Sequence, residues 1–226
     1  MTQALRLVLS GPPGAGKGTQ AQLLAEHLGL TCIGSGELFR LHLQQRTPLG
    51  LRAAEYMNQG LLVPDEVTID IILEKVLSLE AKEGFILDGF PRTPNQADAL
   101  DEALKRRSRG LDRVIHIEVL EAELLRRLGG RYSCSECQSP HAVPDAEVGA
   151  VPRCQRCGGE LYQREDDSPE AVKQRIRVYQ EETMPVLDFY RTRSLLYTVQ
   201  GDGSVESVNH RVLKALGRVP KSADTE

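Results

Sequence analysis

Residues Leu5 to Leu28 are the segment that most restricts what this chain can become. An apolar run, Leu5-Arg6-Leu7-Val8-Leu9, leads into Gly11-Pro12-Pro13-Gly14-Ala15-Gly16-Lys17-Gly18-Thr19, and a helical pattern follows from Lys17 to Leu28. A strand, a glycine-rich turn and a helix in that order form a phosphate cradle. Glycines let backbone amides converge on an anion. The helix aims its positive end at the same point, and Lys17 adds a full charge. The pattern points to a nucleoside triphosphate site near the start of the chain. It departs from the common G-x-x-x-x-G-K-[ST] form, because Gly18 follows the lysine and the hydroxyl arrives one residue later, at Thr19.

The rest of the chain repeats the strand–helix rhythm. Thr31–Ile33, Phe85–Leu87, Val114–Val119 and Leu195–Val199 read as strands. Val67, Ile71, Ile72, Val76 and Leu77 share one helical face. Such alternation predicts a parallel sheet of five strands with helices on both faces, and ligands on such sheets lie at the carboxyl ends of the strands. Asp65 reads as the N-cap of the Val67 helix. Thr93-Pro94-Asn95-Gln96 reads as a cap, a first-position proline and a capping-box partner. Ser168-Pro169-Glu170 opens a long helix, which Pro185 should kink or end. Two stretches break the rhythm. Residues 34–63 read as mostly helical, and residues 130–167 hold glycine, proline and four of the five cysteines. Both read as insertions over the carboxyl edge of the sheet. The tail after Leu216 reads as a frayed polar end.

At 226 residues and 40% hydrophobic content, the chain can bury a sizeable core. Its apolar runs are too short to span a bilayer. The N-terminus has no basic segment or cleavage site before the first strand, so a cytoplasmic enzyme is the expectation. The net charge of −4 disfavours a general nucleic-acid or anionic-membrane binder. An acidic protein that takes polyphosphates must gather its cations locally.

Cys134-x-x-Cys137 and Cys154-x-x-Cys157 give two thiolate pairs with sixteen residues between them. Two such turns can complete a tetrahedron around one ion, with no open position, so a structural zinc is expected. Two disulfides and an iron–sulfur cluster are the alternatives. Cys32 stands alone in a predicted strand and reads as a small buried hydrophobe.

The glycine loop resembles that of nucleoside monophosphate kinases. Gly34-Ser35-Gly36-Glu37-Leu38-Phe39-Arg40, Gly60 to Glu66, Phe85 to Thr93, Arg127 to Arg131, the cysteine quartet and Leu161 to Asp167 extend the likeness over nearly the whole chain. Together they resemble bacterial adenylate kinase in its long-lid, zinc-binding form. That resemblance implies reversible, Mg2+-dependent transfer of a phosphoryl group from ATP to AMP, giving two ADP, with a role in adenine nucleotide homeostasis and salvage. It implies a core of residues 1–33, 64–129 and 168–226, an AMP-binding insertion at 34–63 and a zinc-binding lid at 130–167. A monomer is expected.

The resemblance also assigns roles. Gly14, Ala15, Gly16, Lys17, Gly18 and Thr19 would hold the ATP phosphates, and Asp88 would orient water around magnesium. Arg127 would pack beside the ATP base, with His141 and the Gly203 carbonyl also near it. Pro140 and His141 stand where the family commonly has a small hydroxyl residue and an aromatic. Ser35, Arg40, Leu61, Leu62, Val63, Gly89, Phe90, Pro91, Arg92 and Gln96 would bind AMP. Ser35 replaces the usual threonine. Arg131, Arg164 and Arg175 would close over the transferring group, Arg164 and Arg175 also touching AMP, and Asp166 and Asp167 would help assemble them. Gln96 has two readings, a contact to the acceptor base and closure of the capping box. Two other functions stay open on sequence alone: a kinase of the same build for UMP, CMP or GMP, and an ATP-regulated nucleic-acid binder. The second is disfavoured because Arg131, Arg153, Arg156 and Arg164 are balanced by Glu136, Asp145, Glu147 and Glu160.

Overall fold

The structure, a computed structural model, describes residues 4–137, 139–142 and 153–218. The predicted frayed tail beyond Arg218, and the lid carboxylates Asp145 and Glu147, lie outside the described residues. Along the chain, β1 (Arg6–Ser10) feeds α1 (Lys17–Leu28) and β2 (Thr31–Gly34). Next come α2 (Ser35–Gln44), α3 (Pro48–Met57), α4 (Asp65–Ser78) and β3 (Phe85–Asp88). They are followed by α5 (Pro94–Lys105), β4 (Arg113–Glu118) and α6 (Glu121–Gly129). Three short strands then appear, β5 (Arg131–Cys134), β6 (Pro140–Ala142) and β7 (Leu161–Tyr162). The chain continues with α7 (Pro169–Val178), a π-helical turn at Tyr179–Thr183, α8 (Met184–Arg191), β8 (Leu196–Gln200) and α9 (Val205–Ala215).

The main sheet has five parallel strands in the order β2-β3-β1-β4-β8, which is the expected architecture. Period-2 alternation explains why both faces are buried. In β1, Val8 enters one core with Phe85, Leu87 and Val114, under Ile72, Leu100 and Tyr190. Its neighbours Leu7 and Leu9 enter the opposite core with Ile86, Ile115 and Ile117, under Leu24 and Val212. Leu7, Val8 and Leu9 are each at most 1% exposed. Burying side chains of this size contributes ~1.5–3 kcal/mol apiece, and a strand covered on both sides needs no polar face.

The strands register so that the chemistry gathers at one edge. Leu9 and Gly34 both pair with Asp88. The segments that leave β1, β2 and β3 therefore emerge together at the carboxyl ends, where such sheets hold ligands.

The helix starts partly follow the sequence. Thr93 and Ser168 cap α5 and α7 through their hydroxyls, which accept from Gln96 and Ala171 backbone N–H groups at 3.2 and 3.3 Å. The capping box is shifted, because Gln96 Oε1 accepts from the N–H of Arg92 and not from that of Thr93. Asp65 is not a cap. It begins α4 after Pro64, and no side chain caps that end. Its carboxylate instead accepts from Thr93, Asn95 and Gln96. Pro185 lies in the first turn of α8, just past the π-helical turn. Proline lacks a donor and crowds the carbonyl four residues back, and the wider turn absorbs that break.

Both insertions pack with little core. Phe39, Ala53 and Val63 hold α2 and α3 together. Gly50 is required there, since a Cβ would meet the His42 carbonyl carbon at 2.2 Å. In the other insertion, β6-β5-β7 form an antiparallel sheet whose buried apolar cluster is Cys134, Cys154 and Leu161. The two insertions touch. Gln44 Nε2 donates to the Ser135 carbonyl at 2.9 Å, and Asn58 Nδ2 donates to Glu165 Oε2 at 2.5 Å. These two contacts bridge the insertions at their exposed edges.

Candidate active site

The loop after β1 is shaped for an anion. Gly11 passes so near β4 that a Cβ would meet the Ile117 carbonyl oxygen at 2.6 Å. Gly16, in the left-handed region at φ 90°, stands at the N-cap of α1. The first turn of α1 thus opens into the cleft with its donors unspent by a side-chain cap. Lys17 folds over the loop and donates to the carbonyls of Gly11 and Pro12 at 2.7 and 2.8 Å. Burial pulls its ammonium down to about 7, against the opposing pull of Asp88. The carboxylate of Asp88, at the end of β3, makes no hydrogen bond or ion pair among the described residues, and a Cβ on Gly18 would lie 3.3 Å from its Oδ2. A free carboxylate beside a phosphate loop suits the water shell of a magnesium ion.

Arginines surround the other walls. Arg92 uses Nε on the Gly89 carbonyl at 2.8 Å, which leaves its outer nitrogens free. Arg40 is half-buried, and its enclosed Nε has no partner among the described residues. Arg164 uses Nε on Ser133 Oγ at 2.6 Å. Burial lowers the affinity of all three for their protons, Arg164 to about 9. Among the described residues, Lys17, Arg40, Arg92 and Arg164 have no carboxylate within 4.0 Å. Four half-buried cations with no directly paired carboxylate are costly unless a polyanion joins them.

Arg131 and Arg175 are held differently. Asp167 accepts from Nε of Arg131 at 2.7 Å, from its Nη2, and from Nη1 of Arg175 at 2.9 Å. Asp166 pairs with Arg175 at 3.0 Å, and its carbonyl accepts from the same nitrogen at 2.8 Å. Arg175 is itself lowered by burial, and the nearby arginines hold the Asp166 carboxyl below its usual range against a burial that raises it.

The glycine loop, Lys17, Asp88, Asp166 and the five arginines Arg40, Arg92, Arg131, Arg164 and Arg175 border one cleft of about 510 Å3. It brings together Gly14 to Thr19, Asp88, Arg127, Arg131, Pro140, His141 and Gly203 on one side. The other side holds Ser35, Arg40, Leu61, Leu62, Val63, Gly89, Pro91, Arg92 and Gln96, with Arg164 and Arg175 between. Phe90 is the exception among the expected residues. Its side chain is fully buried in the core beside Leu87 and does not line the cleft. The Ser35 hydroxyl is spent on the Gly89 carbonyl at 2.7 Å. Cys32 is only half-buried and borders the cleft; burial pushes its thiol up to about 12, so it stays neutral.

Sequence reasoning missed two supports. Glu123 grips Arg126 and Arg127, each at 2.7 Å, and Arg127 also donates to the Gly201 carbonyl at 2.9 Å. Those hydrogen bonds hold the Glu123 carboxyl down at about 2. The i,i+4 spacing of Glu123 and Arg127 was the available signal. The second support is Asp65, behind Gln96.

The four cysteines converge with their sulfurs within 4.8 Å of one another. Cys134 and Cys157 are 3.4 Å apart, Cys137 and Cys154 3.6 Å, and none is disulfide-bonded. Four metal–sulfur bonds of ~2.3 Å in a tetrahedron give edges of about 3.8 Å, so the cluster fits a single ion. Ser139 Oγ lies 3.0 Å from Cys137 Sγ and 3.1 Å from Nε2 of His141, linking the cluster to the cleft wall. Among the described residues no helix is long and apolar enough to cross a membrane.

Comparison with known proteins gives the same picture. A family model described as adenylate kinase matches residues 9–195. The adenylate kinase of Streptomyces avermitilis is 47% identical over 219 residues, covering 95% of this chain and 98% of that one. That of Dehalococcoides mccartyi is 45% identical, covering 93% and 97%. That of Caldicellulosiruptor bescii is 44% identical, covering 94% and 99%.

Proposed function

The chain belongs to the adenylate kinase family of phosphotransferases, and from that premise we propose that it carries out reversible, magnesium-dependent transfer of the terminal phosphoryl of ATP to AMP. An AMP phosphate oxygen attacks the γ-phosphorus, the bond to the β–γ bridging oxygen breaks, and both products are ADP. The observation that carries this reading is the set of four half-buried cations without carboxylate partners among the described residues, Lys17, Arg40, Arg92 and Arg164, around one cleft that begins at a glycine loop.

Phosphoryl transfer needs positioning and charge neutralisation more than a protein nucleophile. The amides of Gly14 to Thr19 and Lys17 hold the β- and γ-phosphates of ATP. Arg127, His141 and the Gly203 carbonyl stand where its base lies. Arg40 and Arg92 grip the AMP phosphate, while Ser35, Leu61, Leu62, Val63, Gly89, Pro91 and Gln96 enclose the rest of AMP. Arg131, Arg164 and Arg175 converge on the transferring group, where planar donors match the equatorial oxygens. Removing one such donor costs ~2–4 kcal/mol of transition-state stabilisation. Asp88 and Thr19 are the residues that would hold magnesium and its water shell, and the ion would supply neutralising charge to the polyphosphate. Closure of residues 130–167 over the bound nucleotides would exclude water, the competing acceptor.

Residues 130–167 act as a lid and 34–63 as the AMP-binding insertion, on a core of 1–33, 64–129 and 168–226. Cys134, Cys137, Cys154 and Cys157 hold a structural zinc that ties the lid together, because its own apolar cluster is too small to do so. We place the enzyme in the cytoplasm as a monomer that balances and salvages adenine nucleotides. An acceptor panel of AMP, UMP, CMP and GMP with ATP and magnesium tests the reading. AMP is the expected acceptor; preference for another mononucleotide overturns it.

A further inference from the structure

Gln96 is 1% exposed yet borders the cleft, and its amide is tied at both ends. Oε1 accepts from the backbone N–H of Arg92 at 2.8 Å, and Nε2 donates to Asp65 Oδ1 at 2.7 Å. An amide oxygen only accepts and an amide nitrogen only donates. A backbone N–H has no lone pair to offer, and a carboxylate has no proton. Inverting the amide would set donor against donor at Arg92 and acceptor against acceptor at Asp65. The side chain therefore has one permitted orientation.

Each amide atom keeps one valence after these bonds. Oε1 has a second lone pair and Nε2 a second hydrogen. The pair left for a ligand is one acceptor and one donor in fixed order. Adenine offers the complement, a donor at its 6-amino group and an acceptor at N1. Hypoxanthine has nearly the same outline with the polarity reversed, an acceptor at O6 and a donor at N1. Guanine and uracil share the reversed order.

Asp65 is itself braced. Its other oxygen, Oδ2, accepts from Thr93 Oγ1 at 2.8 Å and Asn95 Nδ2 at 3.0 Å. Three donors from the start of α5 thus converge on one carboxylate at the start of α4. Asp65 does not border the cleft.

We infer that Asp65 is a positioning residue that sets acceptor-base specificity, by locking the Gln96 amide in the orientation that reads a 6-amino purine and rejects a 6-oxo purine. This rests on the AMP-kinase reading above. The lock also lets Gln96 serve both proposed roles at once, helix-end partner and base reader, because each uses a different valence.

The probe is inosine 5′-monophosphate against AMP, with ATP and magnesium held saturating. The wild-type enzyme is expected to favour AMP by at least about 100-fold in kcat/KM, since a site built to hydrogen-bond one pattern rejects its inverse strongly. Asp65→Asn places an amide where only an acceptor fits. It is expected to lower that ratio at least about tenfold, through a raised KM for AMP, with the KM for ATP unchanged. Asp65→Ala, which removes one of the two ties, is expected to give a smaller drop in the same direction. A merely structural role would lower kcat for both acceptors alike and leave the ratio fixed; that result overturns the inference. A wild-type preference below about tenfold overturns it without any variant. Absence of AMP phosphorylation by the wild-type enzyme would instead remove the kinase reading itself.

Discussion

Asp167 holds Arg131 side-on, one carboxylate oxygen on Nε at 2.7 Å and the other on Nη2. The carboxylate has no exposed surface, and Oδ1 also binds Arg175 at 2.9 Å. One residue at the base of the lid therefore sets the position of two arginines that come from β5 and α7. Each guanidinium keeps further donors for a phosphate, and the shared anion offsets the repulsion between two cations in a desolvated site.

Replacing Asp167 by asparagine keeps the shape and removes the charge. The arginines then repel each other and lose their preset geometry. We expect kcat to fall by at least about 30-fold, near 2 kcal/mol of transition-state stabilisation. Steady-state kinetics with both substrates saturating reads this directly. Unchanged turnover would show that the arginines are placed without Asp167.

Nucleotide binding should be linked to protons through Lys17. Its pKa in the empty cleft is drawn down to about 7 by burial, so at pH 8 the free enzyme carries it mostly neutral. Phosphates favour the charged form and raise that value on binding. Binding then takes up a proton above about pH 7, with the uptake vanishing as pH falls below it. Calorimetry of ATP binding at pH 8, in two buffers of different ionisation enthalpy, should show uptake approaching about one proton per site. Lys17→Arg should abolish it. Equal heats in the two buffers for the wild-type protein would contradict the assignment.

The cysteine cluster should make the lid metal-dependent. Elemental analysis is expected to find one zinc per chain. Cys154→Ser should remove the metal and lower the melting temperature, because the lid then keeps little beyond Leu161 as a core. Full zinc occupancy with an unaltered melting temperature in that variant would argue against the four-thiolate site.

The main sheet was legible because its strands are buried on both faces. Leu7-Val8-Leu9 and Phe85-Ile86-Leu87 read as unbroken apolar runs; the expected strand Leu5–Leu9 appears one residue later, at Arg6–Ser10, and Phe85–Leu87 appears with one residue added, as Phe85–Asp88. The cleft was legible through glycine and arginine motifs, which carry their chemistry locally. The lid sheet was not, since β6 and β7 span three and two residues and show no alternation. Only the cysteine spacing marked it. Asp65 looked like a helix cap because a carboxylate before an apolar helix usually is one. Its partners lie 28 to 31 residues further along the chain, and no local pattern reports a pairing at that distance. Phe90 misled for the converse reason. It sits within a motif that borders the cleft, but its own side chain faces the core, where an apolar ring is most stable.

The most direct measurement follows all the phosphates at once. Phosphorus NMR of the protein with magnesium, ATP and AMP should show ATP and AMP disappearing at equal rates, with two ADP formed for each pair and no inorganic phosphate. ATP consumed while AMP stays constant, with inorganic phosphate rising, would mean that the cleft delivers the phosphoryl group to water and that its arginines do not bring two nucleotides together.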